Sequence, residues 1–489
     1  KIEGAREIIG QITYIENNKL YQKPVSYYNV SELNITKEME QKFVPKAAKI
    51  ASQRFLVAIK DSFIAIMPIT MVGSIAVLLN VFFRDLPRSW GQDSFVELMT
   101  PLININGIVW FASIAILSLA FVIALGYNVA KSYEVNPVAG ALVAFASFVA
   151  FLPQEASFEA EVNGVKQAVS SWGFINVDYL GAKGLFPAMI IGLVSTIIYS
   201  KLMKSKLTIK LPDSVPPAVS KAFASIIPGV VAIYVCAILS HVIVAATGST
   251  LNDLIAKYIQ APLLGLSQGM FSVVLLSFLV QLFWFFGLHG HNVLAPIMDG
   301  IYQPALLANV EHMAKGGAVK DLPYIWTRGS FDAYLQMGGS GITIALIFAI
   351  YLFSKRKEYK TVAKLSTPMA IFNINEPVIF GIPLVLNPIY IIPFLLAPTV
   401  CAIIAYTATV IGLIPPVYVV VPWVLPPGIY AFFATGGSIM AAIVSLFNVF
   451  VAFVIWTPFV IIANRMAEEK KNSENSDLDD ESLENITLD

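Results

Sequence analysis

The chain has 489 residues, 57% hydrophobic and only 13% charged, with a mean hydropathy of +0.71. An ordinary soluble domain carries roughly 25% charged residues, so this chain lacks the charge to cover a water-facing surface, and lipid must be the solvent for much of its exterior. Its 32 basic and 32 acidic residues cancel, which removes any basis for a nucleic-acid or other polyanion partner.

Residues 1–45 form a polar N-terminal extension without the basic-then-apolar pattern of a secretory signal. The alternation Gln11-Ile-Thr-Tyr-Ile15 within it suits a short strand or an amphipathic turn. A helical span needs about 20 apolar residues. Such stretches occur at 62–83, 107–127, 137–153, 184–203, 225–247, 269–288, 336–353, 388–413 and 438–463. Three further apolar stretches, 292–310, 365–387 and 414–437, are interrupted by Pro, Gly or Asn. Polar stretches at 84–103, 154–180 and 311–335 read as external or cavity-lining loops, and 251–267 has the apolar spacing of an interfacial helix. Cys236 and Cys401 lie in apolar runs, far apart, and read as small buried hydrophobes. The acidic, Ser/Asn-rich end, 466–489, reads as a disordered tail.

Lys and Arg concentrate on the cytoplasmic side of membrane proteins. Basic clusters fall at 42–60, 201–210, 355–364 and 465–471. If all four face the cytoplasm, the number of crossings between neighbouring clusters must be even. Four spans separate the first two clusters. Between the second and third, parity requires 292–310 to cross as well. Between the third and fourth, 388–413 and 438–463 cross, while 365–387 and 414–437 enter and leave on one side. The expectation is an all-α polytopic membrane protein of about ten transmembrane helices and two re-entrant segments, with both termini cytoplasmic and residues 46–465 as the membrane domain.

Non-helical backbone at membrane depth survives only where it is buried in protein or lines a cavity, so broken segments point to a binding site. In Phe372-Asn-Ile-Asn-Glu-Pro377, Glu376 is the only charge of its segment, and an acidic group at that depth costs about 2.5–3.5 kcal/mol on insertion scales. With Asn373 and Asn375 it offers the donors and acceptors that vicinal hydroxyls need; a structural ion pair is the competing role. In Leu288-His-Gly-His-Asn292, His289 and His291 could hold a hydroxyl or relay a proton. Trp423, within Pro422–Gly428, either stacks on a sugar ring or belongs to an interfacial belt. Lys183, just before a span, either contacts solute or snorkels to the interface. No spacing suggests a metal site, and there is no phosphate loop or ATPase-sized soluble stretch. Energy for transport then comes from an ion gradient or from another polypeptide.

The stretches His289–Asn292, Phe372–Pro377 and Gly181–Phe186 (G-A-K-G-L-F) together resemble the membrane subunit, enzyme IIC, of the bacterial phosphoenolpyruvate-dependent sugar phosphotransferase system, in its lactose/cellobiose/diacetylchitobiose branch. The resemblance runs from about residue 45 to 465. It implies a homodimer in the bacterial plasma membrane that carries a β-linked disaccharide, diacetylchitobiose or cellobiose foremost, inward without a cofactor. The sugar's 6-hydroxyl is then phosphorylated by phospho-enzyme IIB, a separate protein here because both cysteines are membranous. By the motif match, Glu376 and His289 contact the sugar near that hydroxyl, with Glu376 as general base. Asn373, Asn375, His291, Trp423, Lys183 and Gly181 complete the implied sugar site. A proton-coupled secondary sugar transporter using Glu376 and His289 as a relay is the main rival, and a sugar-binding receptor without flux is the second.

Overall fold

The computed structural model of the protein describes residues 11–16, 19–24, 53–162, 165–212 and 214–484. Near the start, β1 (Gln11–Glu16) pairs antiparallel with β2 (Lys19–Pro24), Gln11 opposite Pro24, so the alternating residues there do form a strand. Most of the described chain after residue 53 is helical.

The first half begins with α1 (Arg54–Ala65) and α2 (Met67–Asn80), broken at Ile66. A π-turn and one further helical turn then lead to α3 (Asp93–Phe111). The polar stretch 84–103 is thus mostly helix rather than loop. Just beyond it, Asn106 serves packing, its Nδ2 donating to Asn80 Oδ1 at 2.8 Å between α3 and α2. The span expected at 107–127 is divided, with α4 (Leu117–Ser132) starting after a turn. Asn136 caps α5 (Pro137–Ala150), its Oδ1 accepting from Ala139 N at 3.3 Å, and Pro137 fills the first position, where a missing N–H costs nothing. Helices α4 and α5 meet at small residues: a Cβ on Gly140 would lie 2.4 Å from the Ala130 methyl, a close backbone approach typical of membrane helix pairs.

A hairpin of β3 (Glu155–Val162) and β4 (Val165–Trp172) occupies most of the stretch 154–180. It is followed by α6 (Leu185–Met203) and α7 (Ile226–Thr247). Helices α4 to α7 and α1 pack on one another.

The second half opens with α8 (Leu251–Ser267), which contains a π-turn and bends by 76° into α9 (Met270–Phe285). The segment 251–267 is therefore helical as expected, but continuous with a span through a sharp break. Next come α10 (Gly290–Ile297), a π-turn and α11 (Gln303–Ala314), which make one helical run through the interrupted stretch 292–310. Its 25 residues would measure about 37 Å.

Then follow α12 (Arg328–Leu335), α13 (Thr343–Phe353), α14 (Lys357–Ile371), α15 (Glu376–Gly381), α16 (Ile391–Val410), α17 (Ile429–Ala434) and α18 (Ile439–Glu484). Helix α18 continues into the acidic segment where composition suggested disorder. Extending an existing helix needs no new nucleus, and the Ala, Glu and Lys there are good helix formers. Helices α9, α12, α13, α16 and α18 form the second packed unit. Asn448 on α18 donates to the carbonyls of Tyr334 (3.2 Å) and Cys401 (3.1 Å), tying α12 and α16 to it. Both cysteines are free and buried.

Among the described residues, seven helices are long and apolar enough to cross a membrane, or eight if the bent pair α8–α9 is one span. The two halves meet where α10 and the following π-turn touch α1, and where α11 touches α2 and the turn at 182–184.

Candidate sugar site

Three stretches of irregular backbone converge in the second half. The first, between α12 and α13, holds Gly338, Gly339 and Gly341 at φ of 75°, 91° and 76°, conformations that a Cβ would disfavour. The second is the turn 372–375, with Asn373 also left-handed (φ 63°). The third is 414–428, which has no helix until α17.

Asn373 joins all three. Its Oδ1 accepts from Gly338 N at 2.9 Å, and its Nδ2 donates to the carbonyls of Trp423 (2.7 Å) and Leu425 (2.8 Å). Buried Asn375 donates to Ser340 O at 2.9 Å. From the neighbouring helices, Gln281 Oε1 accepts from Gly341 N (2.9 Å) and Trp456 Nε1 donates to Gly341 O (3.0 Å). Backbone groups that a helix would have satisfied thus find side-chain partners, the condition for leaving helical geometry away from water. Both asparagines are spent on this scaffold.

Glu376, next in the chain, is exposed and makes no hydrogen bond or salt bridge with any described residue. His289 is exposed as well and caps α10, its Nδ1 accepting from Asn292 N at 3.3 Å. With Nδ1 an acceptor, the proton of the neutral ring sits on Nε2, free to donate. The ring packs on Trp284 (centroids 4.4 Å apart), and the charges of Glu376 and of Lys60 on α1 both act on it. A carboxylate and an imidazole N–H therefore belong to one electrostatic environment. His291 packs edge to face against the His289 ring (centroids 5.8 Å apart); Trp284 Nε1 donates to its Nδ1 at 3.5 Å, and its Nε2 is buried.

Trp423 is 47% exposed and lines a cavity of about 140 Å³ between the halves. Met67 and Thr70 form one wall; Asp299, Gln303, Arg328 and Asp332 form another. Arg328 Nη1 lies 2.7 Å from Asp332 Oδ1 and its Nε lies 3.4 Å from Asp299 Oδ1, so one guanidinium serves two carboxylates and the trio is net negative. Lys60 acts electrostatically on Asp299 as well as on His289, which links the two clusters across α1.

The sequence reading did not name Arg328, Asp332 or Gln303. Arg328 and Asp332 lay in a stretch read as loop, although their i, i+4 spacing at the foot of a span was a usable signal.

Lys183 and Gly181 are not brought to this site. Lys183 Nζ lies 3.4 Å from Asp253 and 4.6 Å from the Tyr179 ring centroid, beside a separate cavity. Gly181 faces Glu311 of α11, to whose Oε2 an added Cβ would come within 3.2 Å.

Known proteins locate this architecture. The family described as "Phosphotransferase system, EIIC" matches residues 60–398. The PTS system cellobiose-specific EIIC component of Lactococcus lactis subsp. lactis (strain IL1403) is 42% identical, over 89% of this chain and 99% of its own. The PTS system oligo-beta-mannoside-specific EIIC component of Bacillus subtilis (strain 168) is 36% identical, over 89% and 96%. Among solved structures, the transporter ChbC, the IIC component from the N,N'-diacetylchitobiose-specific phosphotransferase system, superposes with a TM-score of 0.81 at 32% identity, covering 88% of this chain and 99% of that one. With buried broken helices, a lipid-compatible exterior and relatives matched along nearly their whole length, the chain belongs to the EIIC family of the phosphotransferase system, as an integral membrane component.

Proposed function

We propose that this chain carries a β-linked disaccharide across the membrane and presents its 6-hydroxyl, at Glu376 and His289, for phosphorylation by a phospho-enzyme IIB. The observation that carries the reading is Glu376: a charged group beside three interlocked broken segments, without a salt bridge among the described residues. A structural ion pair, the competing role, would have given it a cation in contact.

His289 Nε2–H donates to the sugar oxygen, and Glu376 takes the hydroxyl proton as that oxygen attacks phosphorus. The sulfur–phosphorus bond of the donor breaks, the oxygen–phosphorus bond forms, and the cysteine leaves as thiolate. Trp423 supplies an apolar face for a pyranose ring, and the Arg328–Asp332–Asp299 trio supplies donors and acceptors to its hydroxyls. Asn373 and Asn375 position these groups instead of touching sugar. Cellobiose is the first choice of substrate, from the 42%-identical relative, and diacetylchitobiose the second, from the structural neighbour.

The cavity beside Trp423 is smaller than the ~300–1,000 Å³ of most ligand pockets. Because its walls come from both halves, moving them apart is what admits a disaccharide. The protein works as a homodimer of about ten crossings per chain, with both termini cytoplasmic. The basic clusters at 201–210 and 355–364 support that orientation.

The test is equilibrium binding of labelled cellobiose to purified protein, competed with diacetylchitobiose, lactose and glucose, and repeated with Glu376→Gln. Disaccharide binding that weakens at least about tenfold in the variant, the scale of one charge-assisted hydrogen bond, is the expected result. Uptake driven by a pH gradient that releases unmodified sugar would overturn the proposal in favour of a proton-coupled transporter.

A further inference from the structure

Helix α11 separates two cavities. Gln303, Leu306 and Leu307 line the cavity that holds Trp423, while Ala308, Glu311, His312 and, just past its end, Lys315 line another of about 410 Å³. Each set follows the three-to-four-residue spacing of one helix face, so the helix is a partition one side chain thick on either side. The rest of the second cavity comes from Lys183 before α6, Gln260 on α8, and Tyr324. It lies at the end of α6 opposite Lys201, Lys204 and Lys206, which is the outward end in the topology proposed above.

Both lysines around it are already paired, with one carboxylate more than the lysines balance. Lys315 Nζ lies 2.8 Å from both Asp178 and Glu311, and Lys183 lies 3.4 Å from Asp253. An anionic ligand would have to displace a carboxylate from a lysine against a net negative surround, and a cationic one would compete with the lysines already paired there; a neutral, hydroxyl-rich ligand does neither. One polar atom waits unserved: Gln260 Oε1 is buried without a hydrogen-bond partner among the described residues, on a side chain that lines the cavity. That oxygen is itself shielded, so a sugar hydroxyl would serve it once the Gln260 side chain turns into the cavity, and an unserved acceptor favours that turn. Tyr324 adds an aromatic face and a hydroxyl. The volume falls within the ~300–1,000 Å³ usual for ligand pockets, unlike the Trp423 cavity.

We propose that this cavity is a second, outward sugar site, where a neutral oligosaccharide docks before α11 shifts and admits it to the Trp423 cavity. The proposal rests on the sugar-transport reading and names a stage of the same path.

Labelled cellobiose binding to the full-length protein in detergent provides the test, using Glu376→Gln, Tyr324→Ala, Tyr324→Phe and the Glu376→Gln/Tyr324→Ala pair. Two binding components are expected in the unmodified protein. Glu376→Gln should remove the tighter one and leave a weaker, saturable one that vanishes in the pair. In cells, Tyr324→Ala and Gln260→Ala should raise the uptake KM about three- to tenfold, more than they lower kcat, with Tyr324→Phe intermediate. A single component, together with an uptake KM unchanged in both variants, would overturn the outer site while leaving the role of Glu376 standing. If Glu376→Gln instead binds like the unmodified protein, the deep site is wrong, and hydroxyl-radical footprinting decides the outer one: protection of Tyr324 by cellobiose supports it, and no protection refutes it.

Discussion

Replacing Asn373 by alanine tests whether the site's backbone is held by one carboxamide. The change deletes three hydrogen bonds of 2.7–2.9 Å, to Gly338 N, Trp423 O and Leu425 O. At about 0.5–1.5 kcal/mol each they total about 1.5–4.5 kcal/mol, and the low half of that range is the better guide because the bond to Trp423 O is water-accessible. A left-handed φ of 63° adds about 1–2 kcal/mol for alanine over glycine. Asn373→Ala should therefore cost about 3–4 kcal/mol, and Asn373→Gly about 1–2 kcal/mol less, since glycine keeps the conformation while losing the bonds. Chemical denaturation in detergent would follow stability, and the difference in emission between each variant and its Trp423→Phe counterpart, which isolates the Trp423 signal, would follow the placement of the loop. Cellobiose affinity should fall in the same order, alanine more than glycine. Equal affinity and equal stability for Asn373→Ala and the unmodified protein would refute the clamp.

Three other outcomes follow from the same geometry. Arg328→Gln strands the carboxylates of Asp299 and Asp332, a loss of about 3–5 kcal/mol for a buried pair and less here because the side chains are 14–24% exposed; adding Asp332→Asn should restore part of it, as a double-mutant cycle of stability would show. Gly338→Ala places a methyl 2.4 Å from Ile344 N at a φ of 75° and should lower the yield of folded protein on size-exclusion chromatography far more than Gly265→Ala, where a Cβ meets nothing. Burial opposes the charge on Lys315, but the hydrogen bonds its ammonium donates to Asp178 and Glu311 prevail and hold its pKa above the ordinary lysine value. Its contribution is therefore complete at neutral pH and is lost as pH rises past the usual ~10.4 through the raised value. A thermal midpoint that falls between about pH 10 and 12, and falls less in Lys315→Arg, would bear this out; the pair being half exposed, the effect is below about 1 kcal/mol.

The broken segments were legible because Pro, Gly and Asn interrupt otherwise apolar runs, and Glu376 because a lone acid at that depth has few structural excuses. Helix α3 was not legible: Thr100, Pro101, Asn104 and Asn106 dilute its hydropathy, yet Asn106 is paired with Asn80 inside the protein and is no sign of a loop. The role of Asn373 was hidden for another reason. Sequence tells how many donors and acceptors a carboxamide has, and not that all but one of its hydrogen-bonding positions would be directed at backbone 35 to 52 residues away. Lys183 and Gly181 belong to a less specific motif than Glu376 does, and the turn that carries them sits on the far side of α11 from Trp423. Neighbourhood in a motif and neighbourhood in space are separate properties, and only helix packing converts one into the other.

The spans differ in length, and the bilayer must reconcile them. Helix α3 has 19 residues, about 28 Å, whereas the apolar part of α18, Ile439–Glu468, has 30, about 45 Å. A hydrocarbon core of about 30 Å fits the first upright and requires the second to lean or to protrude. Thickening the membrane therefore strains α3 before it strains α18, and because α3 is the least buried of the candidate spans, with Leu98 and Ile108 each about 70% exposed, the lipids bear on it directly. Acyl-chain length becomes a physical variable of this transporter, acting through α3 and its Asn106–Asn80 contact on α2, the helix that carries the Thr70 wall of the cavity.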